Sequence, residues 1–492
     1  MKLNYVTKKK EFSESQGSLV IVAPEDFYKK QKKILESCIP SEIVSFMCDR
    51  EESLAAGDSG KTIKSFLPHE RFKSAAFIVL PQKVSRGNSP TRKFFIDKHL
   101  ASSISGKKVS LLFAVDESAH VDAMVNSLAK TNRTLTYKTK DGKIQKTKTD
   151  STEVSILMVN SQTGSVVSVS DKSKALFSSV NWCMSLVDRA PSELNPEAYS
   201  KEIQKRFAKN NAVKMIEIKG RELVKAKLGG IWSVGKAAVN APRLVALHYK
   251  PKSAKKRIAI VGKGVTYDTG GLNLKISGSM SGMKTDMGGS AAVLAAFEHL
   301  VNSGSKNELI AVVGLVENAI GPEAYKPDDI VYMHSGKTVE INNTDAEGRL
   351  VLGDCVSWVA RKFEPSMLID AATLTGAQLV ATGMNHAAVV CNDEKLELKA
   401  VAVGKTTGDL VCPLVFAPDM LRNEFSSSIA DMKNSVKNRM NAQTSCAANF
   451  IYAHIEDLRK LKWLHIDLAG PASSGDNLGT GYGVNLISRL CQ

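Results

Sequence analysis

Five short, almost unbroken apolar runs constrain this chain more than any other feature: "RIAIVG" (257–262), "ELIAVVGLV" (308–316), "SMLIDAATL" (366–374), "HAAVVC" (386–391) and "WLHIDLAG" (463–470). A strand wetted on one face alternates apolar with polar residues, whereas a strand covered on both faces need not. Separated by helical lengths, these runs predict a mixed central sheet with helices on both faces. Upstream, "GSLVIVA", "AAFIVL", "VSLLFAV" and "VSILMVN" alternate with helical stretches, the pattern of a second, smaller α/β layer. Between the two regions Pro191 and Pro196 mark a break before a helix. The expected organisation is an α/β protein with a smaller basic N-terminal domain over 1–170, a linker and connecting helix over 171–200, and a larger C-terminal domain over 201–492. No internal repeat is present.

With 43% hydrophobic and 24% charged residues, the 492-residue chain reads as soluble and globular. Its longest aliphatic run, "LIAVVGLV", falls well short of the ~18 residues of a membrane span. The N-terminus has no apolar core of a signal peptide and carries Glu11 and Glu14. Eight cysteines without a CxxC pair point to a reducing compartment. The expectation is a cytoplasmic protein, with organellar (mitochondrial) import left open.

The net charge of +16 is uneven: residues 1–150 hold 27 Lys and Arg against 17 Asp and Glu. The densest piece, "TYKTKDGKIQKTKTD" (136–150), alternates lysine around Asp141-Gly142, a pair suited to a two-residue hairpin. Its first reading is a solvated edge ribbon in which lysine blocks sheet-to-sheet pairing. Its second is contact with DNA or another polyanion. Aromatic residues are too sparse there for a base-stacking platform.

The chemistry concentrates between residues 261 and 350. "VGKGVTYDTGGLNLKISGSMSGMKTDMGGSAA" supplies Lys263, Asp268, Lys275 and Asp286, and "NNTDAEGRL" supplies Asp345, Glu347 and Arg349. The first stretch contains neither a P-loop nor a GxGxxG turn, so a phosphate cradle fits poorly. Any one of these acids alone reads as a turn or cap residue; the argument lies in the set. If four carboxylates converge, each pair at ~4 Å repels by ~4 kcal/mol at an effective dielectric of about 20. Oxygen-rich clusters of this kind are the usual seat of divalent ions, and two dications would leave Lys275 and Arg349 as spare positive charges. The D-x-E-x-R spacing is expected on extended or loop backbone, where alternate side chains point one way.

Together, "GKGVTYDTGGLNLK", "SGMKTDMGG", "SGKTVEINNTDAEGRLVLGD" and "DAATLTGA" resemble the leucine aminopeptidase (cytosol aminopeptidase) family of two-metal exopeptidases, over roughly residues 185–492. Position by position, the resemblance implies that Lys263, Asp268, Asp286, Asp345 and Glu347 ligate two divalent ions, zinc or manganese, with magnesium and cobalt open. It makes Lys275 and Arg349 the catalytic pair, the arginine holding a bicarbonate ion. It places Met283, Asn343, Thr373, Leu374 and Gly376 along the substrate site. It implies hydrolysis of the N-terminal peptide bond of peptides by a water bridged between the ions, leucine-like residues being suitable substrates, in a homohexamer built as a dimer of trimers.

Physical chemistry adds one condition: an ammonium cannot ligate, so Lys263 must bind in its neutral form. The resemblance also has a gap. Where relatives carry a glycine-rich turn before an alanine-rich helix, this chain has "DMKNSVKNRMNAQTSCAANFI" (431–451), which leaves the preferred N-terminal residue open. Other hydrolase readings fare worse, for the chain has no HExxH and no GxSxG. Cys355 reads as a buried structural cysteine. The alternative from a different class is a nucleic-acid-binding or regulatory protein using the basic N-terminal region, with or without peptidase activity.

Overall fold

The apolar runs become strands, some longer than the run and some shorter. The computed structural model describes residues 1–48, 54–145, 147 and 151–492, and the chain divides into two units: Met1–Asn181 with Gly404–Leu410, and Trp182–Val403 with Val411–Gln492.

The first unit contains β1 (Lys2–Tyr5), β2 (Gly17–Pro24), β3 (Lys61–Phe66), β4 (Phe72–Leu80), β5 (Lys108–Val115), β6 (Thr139–Lys140), β7 (Lys143–Ile144) and β8 (Glu153–Asn160). Six of them form one sheet in the order β1-β8-β5-β2-β4-β3, parallel except for β3. The four interior strands are the four apolar runs read from the sequence. The two outer strands, "KLNY" and "KTIKSF", are half exposed and carry lysines, so they present no apolar run to read.

The lysine-rich hairpin forms as Asp141-Gly142 predicts, with both residues at positive φ (53° and 71°), the type I′ geometry. Its placement corrects the expectation of an edge ribbon. β6 and β7 pair only with each other, two exposed residues a side, and have no apolar face to dock on the six-stranded sheet. Their lysines guard no edge of it. Lys146 and Lys148 of the same stretch lie outside the described residues.

The second unit is built on β9 (Val213–Lys219), β10 (Arg243–Tyr249), β11 (Arg257–Asp268), β12 (Glu308–Asn318), β15 (Met367–Ala372), β16 (Ala387–Cys391), β17 (Val411–Pro413) and β19 (Lys462–Asp467). Their order is β17-β16-β19-β15-β11-β12-β10-β9, with β10 antiparallel to both its neighbours and β16 antiparallel to β19. A small sheet, β13 (Ile330–Tyr332), β14 (Thr338–Glu340) and β18 (Met432–Lys433), stands apart. Together the two main sheets establish the expected α/β fold.

The central strands are covered on both sides. Gly262 of β11 faces Ser290 of the helix Gly288–Asn302, while the next residue, Lys263, packs against Gly348 at the start of the helix Gly348–Phe363. Adjacent residues of a strand point to opposite faces, so these two almost wholly buried helices occupy opposite layers. Among the described residues no helix is long and apolar enough to cross a membrane.

The helix–sheet approach depends on glycine at one point above others. A Cβ on Gly289 would lie 2.1 Å from the Ala371 carbonyl oxygen and 2.7 Å from its carbon, both backbone atoms of β15. Gly289→Ala is therefore expected to destabilise the second unit by about 3 kcal/mol in urea unfolding followed by tryptophan fluorescence. Gly475→Ala, where the added methyl meets nothing within 4 Å, is the matched control and is expected to stay within about 0.5 kcal/mol of the parent. Equal effects in the two variants would show the close approach to be unimportant.

Candidate metal centre

The site lies in a notch at the end of the central strands. β15 leaves the ladder after Ala371, paired with Gly262, while β11 and β12 run on together to Asp268 and Asn318. The register of β11 against β12 shifts between Val265 and Tyr267. In a regular strand Lys263 and Asp268, five apart, would point to opposite faces. The bulge adds one residue and puts both on the face that meets the helix Gly348–Phe363.

Lys263 lies at the bottom of the notch. Its Nζ stands 2.8 Å from Asp286 Oδ1 and 2.9 Å from Glu347 Oε1, and it donates to the Thr373 carbonyl at 2.9 Å. Lys275 forms the second cationic junction, 2.8 Å from Asp268 Oδ2 and 2.5 Å from Asp345 Oδ1. Asp268 Oδ1 also accepts from Gly270 N and Asn318 Nδ2, which fixes its rotamer. One carboxylate oxygen from each of Asp268, Asp286 and Glu347 lies within 4.8 Å of the others. The structure thus brings all five predicted ligands and Lys275 to one place.

Burial and charge pull against each other there. Burial pushes the Asp286 carboxyl well above the usual carboxylate range, and Glu347 and Asp345 move up for the same reason. Burial alone would lower both lysines; the surrounding carboxylates outweigh it and raise both. Even so, Asp286 Oδ2 and Glu347 Oε2 are buried without a hydrogen-bond partner. Hard oxygen donors arrayed around two ammonium groups, with two oxygens still unsatisfied, are a donor set that divalent cations fit.

Arg349 departs from the expected geometry. Glu347 has helical dihedrals (φ −74°, ψ −39°) and immediately precedes the helix Gly348–Phe363, so Arg349 sits in that helix's first turn and not on extended backbone. The reason is local: the loop closes at Ala346, and the apolar spacing after Gly348 is helical. Its Nε and Nη1 are buried and unpartnered, and burial pulls the guanidinium down to about 10 despite the opposing pull of Glu347. It remains a cation at neutral pH, with no anion among the described residues bonded to those two donors.

The predicted substrate-lining residues surround the notch. Thr373 holds Lys263 through its carbonyl and donates its hydroxyl to Asp286 Oδ1 at 2.9 Å. Leu374 N donates to Asp467 Oδ1, and Gly376 opens a short helix capped by Thr375, with open space where a Cβ would be. Asn343 accepts from Asp345 N, tying the loop to its own acid. Met283 lies on the 3₁₀ turn Met283–Thr285, next to Asp286. The Met283 carbonyl accepts from Asp286 N at 3.2 Å, while Gly376 has no bond to the acids.

Several buried polar residues that support the site were missed in the sequence. Asn434 bonds the backbone of the Asn342–Ala346 loop, and Tyr325 and Asn318 both donate to the Thr344 carbonyl. Asp467 accepts from Thr375 Oγ1 at 2.7 Å, and His465 Nδ1 lies 2.6 Å from Asp370 Oδ1, whose other oxygen accepts from Trp463 Nε1. The signal was available in "SMLIDAATL" and "WLHIDLAG": a charged residue inside an otherwise apolar buried strand needs a partner. Cys355 is a core residue of the helix Gly348–Phe363, as expected.

Comparison with known proteins agrees with this arrangement. Residues 181–488 match the model of the cytosol aminopeptidase family, catalytic domain. The "Probable aminopeptidase NPEPL1" of Homo sapiens is 41% identical over 417 residues, covering 85% of this chain and 79% of the relative. "Leucine aminopeptidase 1" of Caenorhabditis elegans is 40% identical over 446 residues, 88% of each chain. The solved structure of the Caenorhabditis elegans leucine aminopeptidase superposes with a TM-score of 0.87 at 35% identity, covering 100% of this chain and 98% of that one. A leucyl aminopeptidase from Leishmania major, solved with actinonin, gives 0.89 at 31% identity and covers 100% and 94%. On the family match and the shared fold, this chain belongs to the cytosol aminopeptidase family.

Proposed function

We propose that this protein is a metal-dependent aminopeptidase that removes N-terminal residues from peptides, leucine-like residues among them. The observation that carries the reading is the set of buried Asp268, Asp286 and Glu347 and half-buried Asp345 around the amines of Lys263 and Lys275, with carboxylate oxygens left over. Lys263, Asp268, Asp286, Asp345 and Glu347 would hold two divalent ions, zinc or manganese in preference to magnesium or cobalt. When bound, such ions supply a water activated near neutral pH and a polarised scissile carbonyl.

The chain's own groups do the rest. Neutralising the carboxylates releases Lys275 from Asp268 and Asp345, and its ammonium can then donate to the oxyanion that develops on the scissile carbonyl. Loss of one such donor typically costs ~2.7–4 kcal/mol of transition-state stabilisation. Arg349 offers buried, unpartnered guanidinium donors suited to a small planar anion, and bicarbonate is the one we assign to it. Thr373, Leu374 and Gly376 line one wall for the substrate, with Asn343 and Met283 on the others. The open space beside Gly376 leaves room for a side chain of the substrate. We assign the preference for N-termini, the homohexamer arranged as a dimer of trimers, and cytoplasmic residence by resemblance to the family. The alternative of a DNA-binding factor rests on the lysine surplus of the N-terminal region alone, and the geometry favours the peptidase.

Three expected outcomes test this. An aminoacyl-amidocoumarin panel run after chelation and again after adding back single metals should show activity lost and then restored; full activity in protein free of metal by elemental analysis refutes the reading. Manganese at a hundredfold excess over its Kd should stabilise chelated protein by about 2.7 kcal/mol in thermal unfolding, with a smaller gain in Asp286→Asn. Lys275→Ala should retain both ions and lose about a hundredfold in kcat, whereas Lys263→Ala should lose one ion. Equal metal loss from the two lysine variants, read by mass spectrometry of the metals, contradicts this division of roles between Lys263 and Lys275.

A further inference from the structure

We infer that Asn434 is a positioning residue for the metal centre: its buried side-chain amide holds the Asn342–Ala346 loop and so sets Asp345 and Glu347 in place. The inference rests on the reading of those two acids as metal ligands.

The loop needs such a holder. The short ladder between β14 and β18 stops at Glu340 paired with Lys433; Ile341 still bonds Asp328 and Asp329, but from Asn342 on the backbone groups have no strand to pair with. Buried backbone donors and acceptors without partners are costly, and some other group must satisfy them. Asn434, immediately after β18, takes over where the ladder ends. Its own N–H donates to the Glu340 carbonyl at 3.1 Å. Its Oδ1 accepts from Asn342 N at 2.9 Å and Asn343 N at 3.3 Å. Its Nδ2 donates to the carbonyls of Asn343 at 2.6 Å and Ala346 at 3.3 Å. Asn342 answers in kind: its Oδ1 accepts from Ser435 N at 2.9 Å and its Nδ2 donates to the Ser435 carbonyl at 3.2 Å.

These contacts use the whole hydrogen-bonding capacity of a carboxamide, two donors and two acceptor positions, in a side chain that is fully buried. The chemistry of the residue type is specific. Aspartate has nearly the same shape but would aim lone pairs at two carbonyl oxygens and add a negative charge beside four acids. Glutamine is one methylene too long for a side chain held on both sides at hydrogen-bond distance. The amide is thus a neutral substitute for a strand's backbone, and it spans the loop from Asn342 to the residue between the two ligating acids. From Asn343 the hold passes to Asp345, whose N–H donates to Asn343 Oδ1 at 2.9 Å.

The test uses the full chain and separates this inference from the peptidase reading. In wild-type protein stripped of metal, hydrogen exchange read by mass spectrometry should show the Asn342 and Asn343 amides protected; fast exchange there overturns the proposal without any variant. In Asn434→Ala and Asn434→Asp, the amides of 342–347 should exchange at least tenfold faster, and calorimetric titration with manganese should show affinity reduced tenfold or more. Asn307→Ala, which removes a buried amide bonded to the Cys491 carbonyl away from the site, sets the purely structural benchmark: a lower Tm with neither change. At saturating manganese, kcat of Asn434→Ala on an aminoacyl-amidocoumarin should fall at least tenfold with KM within threefold of wild type. Exchange and manganese affinity matching wild type in the Asn434 variants would sink the proposal. If the wild-type protein cleaves no substrate, the peptidase reading fails while exchange and titration still decide the role of Asn434.

Discussion

A primary amine buried against carboxylates governs this structure. Lys263 is almost fully buried, as are Asp286 and Glu347, which it touches. Taking such charges out of water costs several kcal/mol each, and their attraction offsets that only if the remaining lone pairs are satisfied. In this notch they are not all satisfied, since one oxygen of each acid is left without a partner. A hydrophobic core of the same volume would be the more stable solution. The arrangement therefore makes physical sense as a place kept for added positive charge, with the lysines as the balance that lets the chain fold before that charge arrives.

The rest of the second unit is arranged to make such a place. Parallel strands ending at different points leave a notch, and the early departure of β15 after Ala371 exposes the side of β11 that carries Lys263. The bulge before Tyr267 then turns Asp268 to the same side. The two covering helices contribute from opposite layers: Asp286 just before Gly288–Asn302, and Glu347 and Arg349 at the start of Gly348–Phe363. Only glycine permits this closeness, since a methyl on Gly348 would meet the Lys263 side chain within 2.8 Å. Tight packing and buried charge are one requirement at this point of the fold.

Much of this was legible in the residues. Strands buried on both faces announce themselves as apolar runs, and the interior strands of both sheets were read that way except β10, where Arg243 and His248 bracket an apolar stretch of only four residues. The outer strands β1, β3 and β9 were not, because their exposed faces carry lysines and dilute the pattern. The acids of the notch were found because they fall in long motifs beside glycines. Arg349 was found as a residue and misplaced in conformation, because an i, i+2, i+4 spacing does not distinguish a loop from the turn in which a loop becomes a helix. The residues behind the site were missed for a different reason. Asn434 and Asp467 touch mostly backbone, and backbone contacts leave no complementary residue type in the sequence to betray them.

That last group reveals a common logic. Loops at the end of a sheet lose the ladder that pairs their peptide groups, yet these loops must be as exact as strands because they carry the reacting groups. The chain answers twice in the same way: one buried side chain substitutes for the missing strand. Asn434 does so for the loop bearing Asp345 and Glu347, and Asp467 does so for residues 374 and 375, the segment that follows the carbonyl holding Lys263. The choice of amide in one case and carboxylate in the other follows from what each loop offers. The first presents both N–H and C=O groups close to four acids and needs a neutral donor and acceptor. The second presents an N–H and a hydroxyl, donors only, and a carboxylate accepts both. Burial raises the Asp467 carboxyl, while the neighbouring His465, itself held by Asp370, draws it back. The charge that anchors the second loop is thereby tied to strands β15 and β19.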